Sequence, residues 1–113
     1  MTYTIKKIHH DAKVPHRQTS GSAGYDLYTC TSGKIAPETT AFIHTGILLE
    51  VPYLTLILPR SGLASKHLID VSGEYIPPNK LQEIVVCVTN YGKEEFIYNV
   101  NDRIAQMVFT FCN

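Results

Sequence analysis

The sequence predicts an all-β domain, on three observations. Short runs of strand-forming residues alternate with turn residues at intervals of about eight to twelve. No stretch carries a long helical hydrophobic period. The one segment that reads as helical is brief and follows Pro59.

Tyr3–Ile8 alternates well enough for a first strand, and Asp11–Thr19, with Pro15, reads as a loop. The polar lead Thr19-Ser20-Gly21-Ser22 enters Ala23–Tyr28. In that strand Tyr25, Leu27 and Thr29 share one face, and Asp26 and Tyr28 the other. Ala41–Ile43 and Ile47–Val51 read as paired strands around His44-Thr45-Gly46, and Pro52 ends the second. Leu54–Leu58, LTLIL, is apolar throughout. Its outward face is expected to be covered by another subunit. Glu83–Thr89 is a buried-strand run, Asn90–Lys93 a turn, Phe96–Tyr98 a strand and Asn99–Asp102 a turn.

Ten basic and ten acidic residues cancel, so charge gives no argument for a nucleic-acid or membrane partner. There is no signal-peptide core and no run of membrane-spanning length. Cys30, Cys87 and Cys112 form neither a CxxC pair nor a disulfide framework. They read as reduced thiols in an intracellular protein, cytoplasmic or nuclear. His9 and His10, taken as strand neighbours, point to opposite faces and make a poor chelating pair.

Two stretches carry candidate chemistry. Pro59–Lys66, PRSGLASK, reads as a strand end, a turn and one helical turn. Free backbone N–H groups at such a start favour an anion. Arg60 adds a planar fork of donors suited to phosphate, Ser61 a hydroxyl, and Gly62 lets a ligand approach the chain. The plainer alternative is an N-capping Ser61 beside a surface arginine. Asp102–Gln106, DRIAQ, is either part of the same site or a surface turn with an Asp–Arg contact. Asp26 is either a site carboxylate or a turn-adjacent aspartate satisfied by backbone N–H groups.

In this order, AGYDL, PRSGLA and DRIAQ resemble the first, second and fourth motifs of the trimeric dUTPases, which hydrolyse dUTP to dUMP and pyrophosphate with magnesium. The resemblance covers nearly the whole chain. It implies a distorted jelly-roll β-barrel with one short helix after the second motif, a single domain over residues 1–113, and a homotrimer. It implies that Asp26 holds Mg²⁺ through water, a role that suits one carboxylate and substrate phosphates. It assigns Arg60, Ser61, Gly62 and Gln106 to the phosphates of a nucleotide or of pyrophosphate.

Two departures stand against that pattern. The family's third motif, close to GVIDxDYRG, is a hairpin that holds uracil and deoxyribose, and its place is taken by Glu74-Tyr75-Ile76-Pro77-Pro78-Asn79-Lys80-Leu81-Gln82. In the gapless register the water-activating aspartate falls on Pro77 and the sugar-packing tyrosine on Lys80. Pro77 and Pro78 also remove two N–H donors. A register with Ile69-Asp70 as the third motif and Tyr75 as its tyrosine would need extra residues before Glu83. Asp70 and Glu74 are the fallback carboxylates for activating water. The second departure is the end of the sequence at Asn113, without the family's glycine-rich fifth motif. The resulting expectation is a dUTPase-like pseudoenzyme, with a residual phosphate and magnesium site reused for binding or for an unidentified protein partner. The alternative is an active, divergent dUTP diphosphatase.

Overall fold

The structure, a computed structural model, describes residues 3–19 and 24–110. Ten strands and one helix follow in order: β1 Thr4–Lys7, β2 Tyr25–Tyr28, β3 Gly33–Ile35, β4 Thr40–Glu50, β5 Leu54–Leu58, α1 Ser61–His67, β6 Ile69–Val71, β7 Glu74–Ile76, β8 Gln82–Asn90, β9 Phe96–Tyr98 and β10 Arg103–Thr110. The all-β reading with one short helix therefore holds.

Two four-stranded sheets, ordered β1-β4-β8-β6 and β2-β10-β5-β7, share one core, and β3 and β9 form a separate ribbon. Every strand pairing is antiparallel. Among the described residues each large sheet keeps two edge strands, so the jelly roll is an open sandwich of two sheets. The core follows from strand alternation: Ile84, Val86 and Val88 of β8 face Ile57 of β5 and Met107 of β10 within one buried cluster.

The residues expected as two paired strands are one strand. β4 runs unbroken through His44-Thr45-Gly46, and its register with β8 shifts between His44 and Leu48. The cause is a bulge. Gly46 takes φ 67°, the left-handed region. The groups that leave the ladder are satisfied locally: the Gly46 N–H donates to Glu83 Oε2 at 3.1 Å, and the buried Thr45 hydroxyl donates to the Ile84 carbonyl at 2.6 Å. A Cβ at position 46 would sit 2.7 Å from the His9 Cβ and 2.9 Å from the Ala12 Cβ. Gly46→Ala therefore combines a strained φ with a collision, and a loss of about 2–4 kcal/mol in chemical denaturation is expected.

Proline bounds the central strand β5, with Pro52 before it and Pro59 after it, and β5 lies between β10 and β7. Thr55 and Ile57 point into the core, while Leu54, Leu56 and Leu58 are half-buried on the other face. Leu56 lies opposite Val108 on one side and Tyr75 on the other, so these share that face. Tyr75 is 66% exposed, which leaves an apolar strip open along the sheet.

Candidate functional site

The site is assembled where β2, β10 and the end of β5 meet. On β10, Gln106 is directly opposite Asp26 on one side and Leu58 on the other, so Asp26 and Gln106 project from one face. Two residues beyond Leu58 the chain turns into α1. Arg60 occupies the N-cap position with extended backbone, φ −95° and ψ 129°, and its side chain makes no capping bond. Ser61 is the first helical residue, so the N-capping reading of its hydroxyl does not hold. The first turn carries no acidic residue and the last carries Lys66 and His67, which leaves the positive end of the helix dipole uncompensated at the site. Leu68 closes α1 in the left-handed conformation, its N–H donating to the Leu63 carbonyl.

Asp26, Arg60, Ser61, Gly62 and Gln106 together line one cavity of about 160 Å³. Those five were the metal and phosphate candidates, and the fold brings all of them together. No heavy atom lies within 4 Å of the point where a Cβ on Gly62 would stand, so the backbone there is open to a ligand. The Gln106 Nε2 donates to the Pro59 carbonyl at 2.9 Å, which fixes the amide with Oε1 toward Gly24. Arg60 also lines a larger neighbouring cavity of about 540 Å³, with His67, Glu94, Phe96, Asp102 and Arg103 around it.

Electrostatics keep Asp26 ionised. Burial pushes its carboxyl up, but hydrogen bonds from Gln18 and Arg103 and the charges of Arg103 and Arg60 outweigh this and hold it below its ordinary 3.8. The Gln18 Nε2 donates to Asp26 Oδ2 at 2.6 Å, and the Arg103 Nη1 donates to the same oxygen at 3.3 Å. A carboxylate with a lowered folded pKa contributes stability that is fully present above its unfolded value and fades as the pH falls through the folded one. The anionic form is thus secured throughout the neutral range. A single ionised carboxylate, an oriented amide oxygen and adjoining guanidinium groups suit a hydrated hard cation that travels with phosphate.

The base-hairpin candidates lie elsewhere. β7 holds Glu74, Tyr75 and Ile76, with Ile76 buried and the other two exposed. Pro77, Pro78, Asn79 and Lys80 form an exposed turn in which Asn79 takes φ 61° and donates its N–H to the Val51 carbonyl at 2.7 Å. β7 and β2 are opposite edges of the same sheet, three strand spacings or about 14 Å apart. Asp70 is exposed on β6 in the other sheet, opposite Thr89. None of these residues lines the cavity that holds Asp26.

His9 and His10 do not alternate across a strand, because residues 9–12 form a tight turn: the Asp11 N–H donates to His9 Nδ1 at 3.0 Å, and the Ala12 N–H to the His9 carbonyl at 3.0 Å. The two rings stack at 4.6 Å and 17°, and Asp11 lies beside them as a third potential ligand. One potential ligand atom from each of the three lies within 4.8 Å of the others. Cys30 and Cys87 are free, and burial pushes the Cys30 thiol up; Cys112 lies outside the described residues. Gln18 was not singled out from the sequence, since nothing in a polar loop marks it as a neighbour of Asp26.

Residues 10–113 match the family model described as dUTPase. The deoxyuridine 5'-triphosphate nucleotidohydrolase of Encephalitozoon cuniculi (strain GB-M1) is 39% identical over 107 residues, covering 93% of this chain and 74% of the relative. The same-named protein of Antonospora locustae is 42% identical over 108 residues, covering 94% and 76%. Among solved structures, a mutant dUTPase from phage phi11 of S. aureus, described with a coordinated structural Mg(II) ion, superposes with a TM-score of 0.92 at 18% identity, covering 99% of this chain and 92% of the other. A mutant dUTPase of Staphylococcus bacteriophage 80alpha with dUpNHpp gives 0.87 at 22% identity, covering 98% and 83%.

Proposed function

The chain belongs to the dUTPase family, and from that premise we propose that it is a divergent dUTP diphosphatase, converting dUTP and water to dUMP and pyrophosphate. The observation that carries this reading is the single cavity shared by Asp26, Arg60, Ser61, Gly62 and Gln106. In it Arg60 takes phosphate oxygens in a forked, charge-assisted contact. The Ser61 hydroxyl and the open backbone at Gly62 give further donors. Gln106 is braced on the Pro59 carbonyl, and Asp26 would hold Mg²⁺. When bound, Mg²⁺ neutralises charge on the phosphate oxygens. Relatives about 40% identical over most of the chain carry the dUTP-hydrolase name, which favours activity over an inert descendant.

One observation favours the second reading, a pseudoenzyme that binds phosphate or a protein partner. The Pro77–Lys80 turn offers no carboxylate to orient and deprotonate water, and Asp70 and Glu74 do not line the cavity. Loss of a positioned general base costs a factor of about 10²–10⁴ in rate. The expected result is therefore slow, magnesium-dependent pyrophosphate release from dUTP, about 10²–10⁴ below a control dUTPase. Magnesium-dependent binding of dUTP with no release at all would support the pseudoenzyme instead.

The same reading includes a homotrimer. Its support is the open apolar strip of Leu54, Leu56, Leu58, Val108 and Tyr75. Assembly would also let the Pro77–Lys80 turn of one chain approach the cavity of another; within one chain the turn follows Ile76, which pairs with Thr55 near the start of β5, while Arg60 lies past the end of β5. Sedimentation equilibrium is expected to give three times the 12.7 kDa chain mass at micromolar concentration; a monomer alone would reject the assembly. No helix among the described residues is long and apolar enough to cross a membrane. An intracellular setting, cytoplasmic or nuclear, rests on the thiol reading of the cysteines.

A further inference from the structure

Gln18 belongs to none of the three motifs, yet its side chain reaches the carboxylate at the centre of the site. Its loop is pinned beside β2 at three points. His16 and Asp26 exchange backbone hydrogen bonds, at 3.3 Å from the His16 N–H and 2.7 Å from the Asp26 N–H. In an antiparallel bridge, residues directly opposite share a face, so His16 lies on the Asp26 face and Gln18, two residues on, is the diagonal neighbour of Asp26. Arg17 falls on the other face, and its guanidinium lies over the Tyr25 ring, 5.4 Å from the centroid. The third point is the 2.6 Å bond from Gln18 to Asp26 Oδ2. Arg103 approaches that same oxygen from β10, at 3.3 Å.

We infer that Gln18 is a positioning residue for the phosphate and metal site: with Arg103 it engages Oδ2 and so fixes the Asp26 rotamer that presents Oδ1 to the hydrated cation. A lone arginine would leave the carboxylate free to pivot about one contact. Two donors, one from the 16–18 loop and one from β10, hold that oxygen from two directions. The inference rests on the proposed role of the cavity, and it adds a residue that acts through Asp26 without touching substrate.

Gln18 is exposed, so its variants are expected to fold. Gln18→Ala is expected to weaken calorimetric binding of magnesium pyrophosphate by about 3- to 10-fold, the worth of one hydrogen bond. Gln18→Glu fills the same space but brings a like charge and no donor, and is expected to weaken it further. A role in packing alone would be rescued by glutamate. The second readout needs no ligand: the Gln18 side-chain amide signals in ¹⁵N NMR are expected to shift and exchange faster in Asp26→Ala. Unchanged binding in both Gln18 variants overturns the inference. Absence of magnesium pyrophosphate binding by the unmodified chain overturns the proposed function instead, and the amide signals then decide: identical spectra with and without the Asp26 carboxylate reject the clamp.

Discussion

Arg60→Ala is expected to reduce affinity for magnesium pyrophosphate by about 10- to 150-fold, the equivalent of a charged hydrogen-bonded contact worth about 1.5–3 kcal/mol. Arg60 is half-buried at the start of α1 and faces both cavities. Its backbone carbonyl serves the helix by accepting the Ala64 N–H at 3.2 Å, and its side chain makes no capping bond. Alanine therefore leaves the fold intact, with unfolding free energy expected to move by no more than about 0.5 kcal/mol. The hydrogen bonds from Gln18 and Arg103 remain, so Asp26 stays ionised at neutral pH. The loss is then of the anion contact and not of the carboxylate. Arg60→Lys keeps the charge but not the fork, and should fall between the two. Calorimetry across this series checks the assignment; equal affinities in all three proteins would move the phosphate site elsewhere.

The elements bounded by proline are legible in the sequence, whereas those set by a side-chain capture or a cross-strand contact are not. Leu54–Leu58 was legible because proline stands on both sides of an apolar run, and α1 because Pro59 precedes a stretch without a breaker. The five cavity residues were found by motif, and three separate elements then deliver them to one place. The division of β4 was an error of a definite kind. Gly46 reads as a stop, but Glu83, 37 residues away, accepts its N–H and turns the stop into a bulge. Strand alternation does not hold at His9-His10, because His9 Nδ1 captures the Asp11 N–H and the chain turns there. Gln18 was invisible because its approach to Asp26 depends on the backbone pairing of His16, and no side-chain pattern encodes that pairing.

The hairpin offers the test with the largest gain. Pro77 has no N–H and a fixed φ, and in the gapless register it would fall where the resemblance puts the carboxylate that orients and activates water. In the same register Lys80 would fall where the resemblance puts the ring that packs on the sugar. Both flank Asn79, whose left-handed φ of 61° and bond to the Val51 carbonyl anchor the turn, so both positions can change while its geometry is kept. Pro77→Asp alone restores one role, and an unplaced sugar still presents the phosphorus poorly to the activated water. Little recovery of pyrophosphate release is expected. Lys80→Tyr alone positions a substrate that nothing attacks efficiently. Groups that act as a unit are strongly non-additive, so the double variant is expected to exceed the product of the two single effects. Its gain should approach the factor of about 10²–10⁴ that a positioned base supplies. Steady-state pyrophosphate release from dUTP at saturating magnesium reads all four proteins. A double variant no faster than the unmodified chain would remove the Pro77–Lys80 turn from the reaction. Glu74 and Asp70 would then be the next carboxylates to replace, since an active chain without this hairpin must draw its base from another side chain.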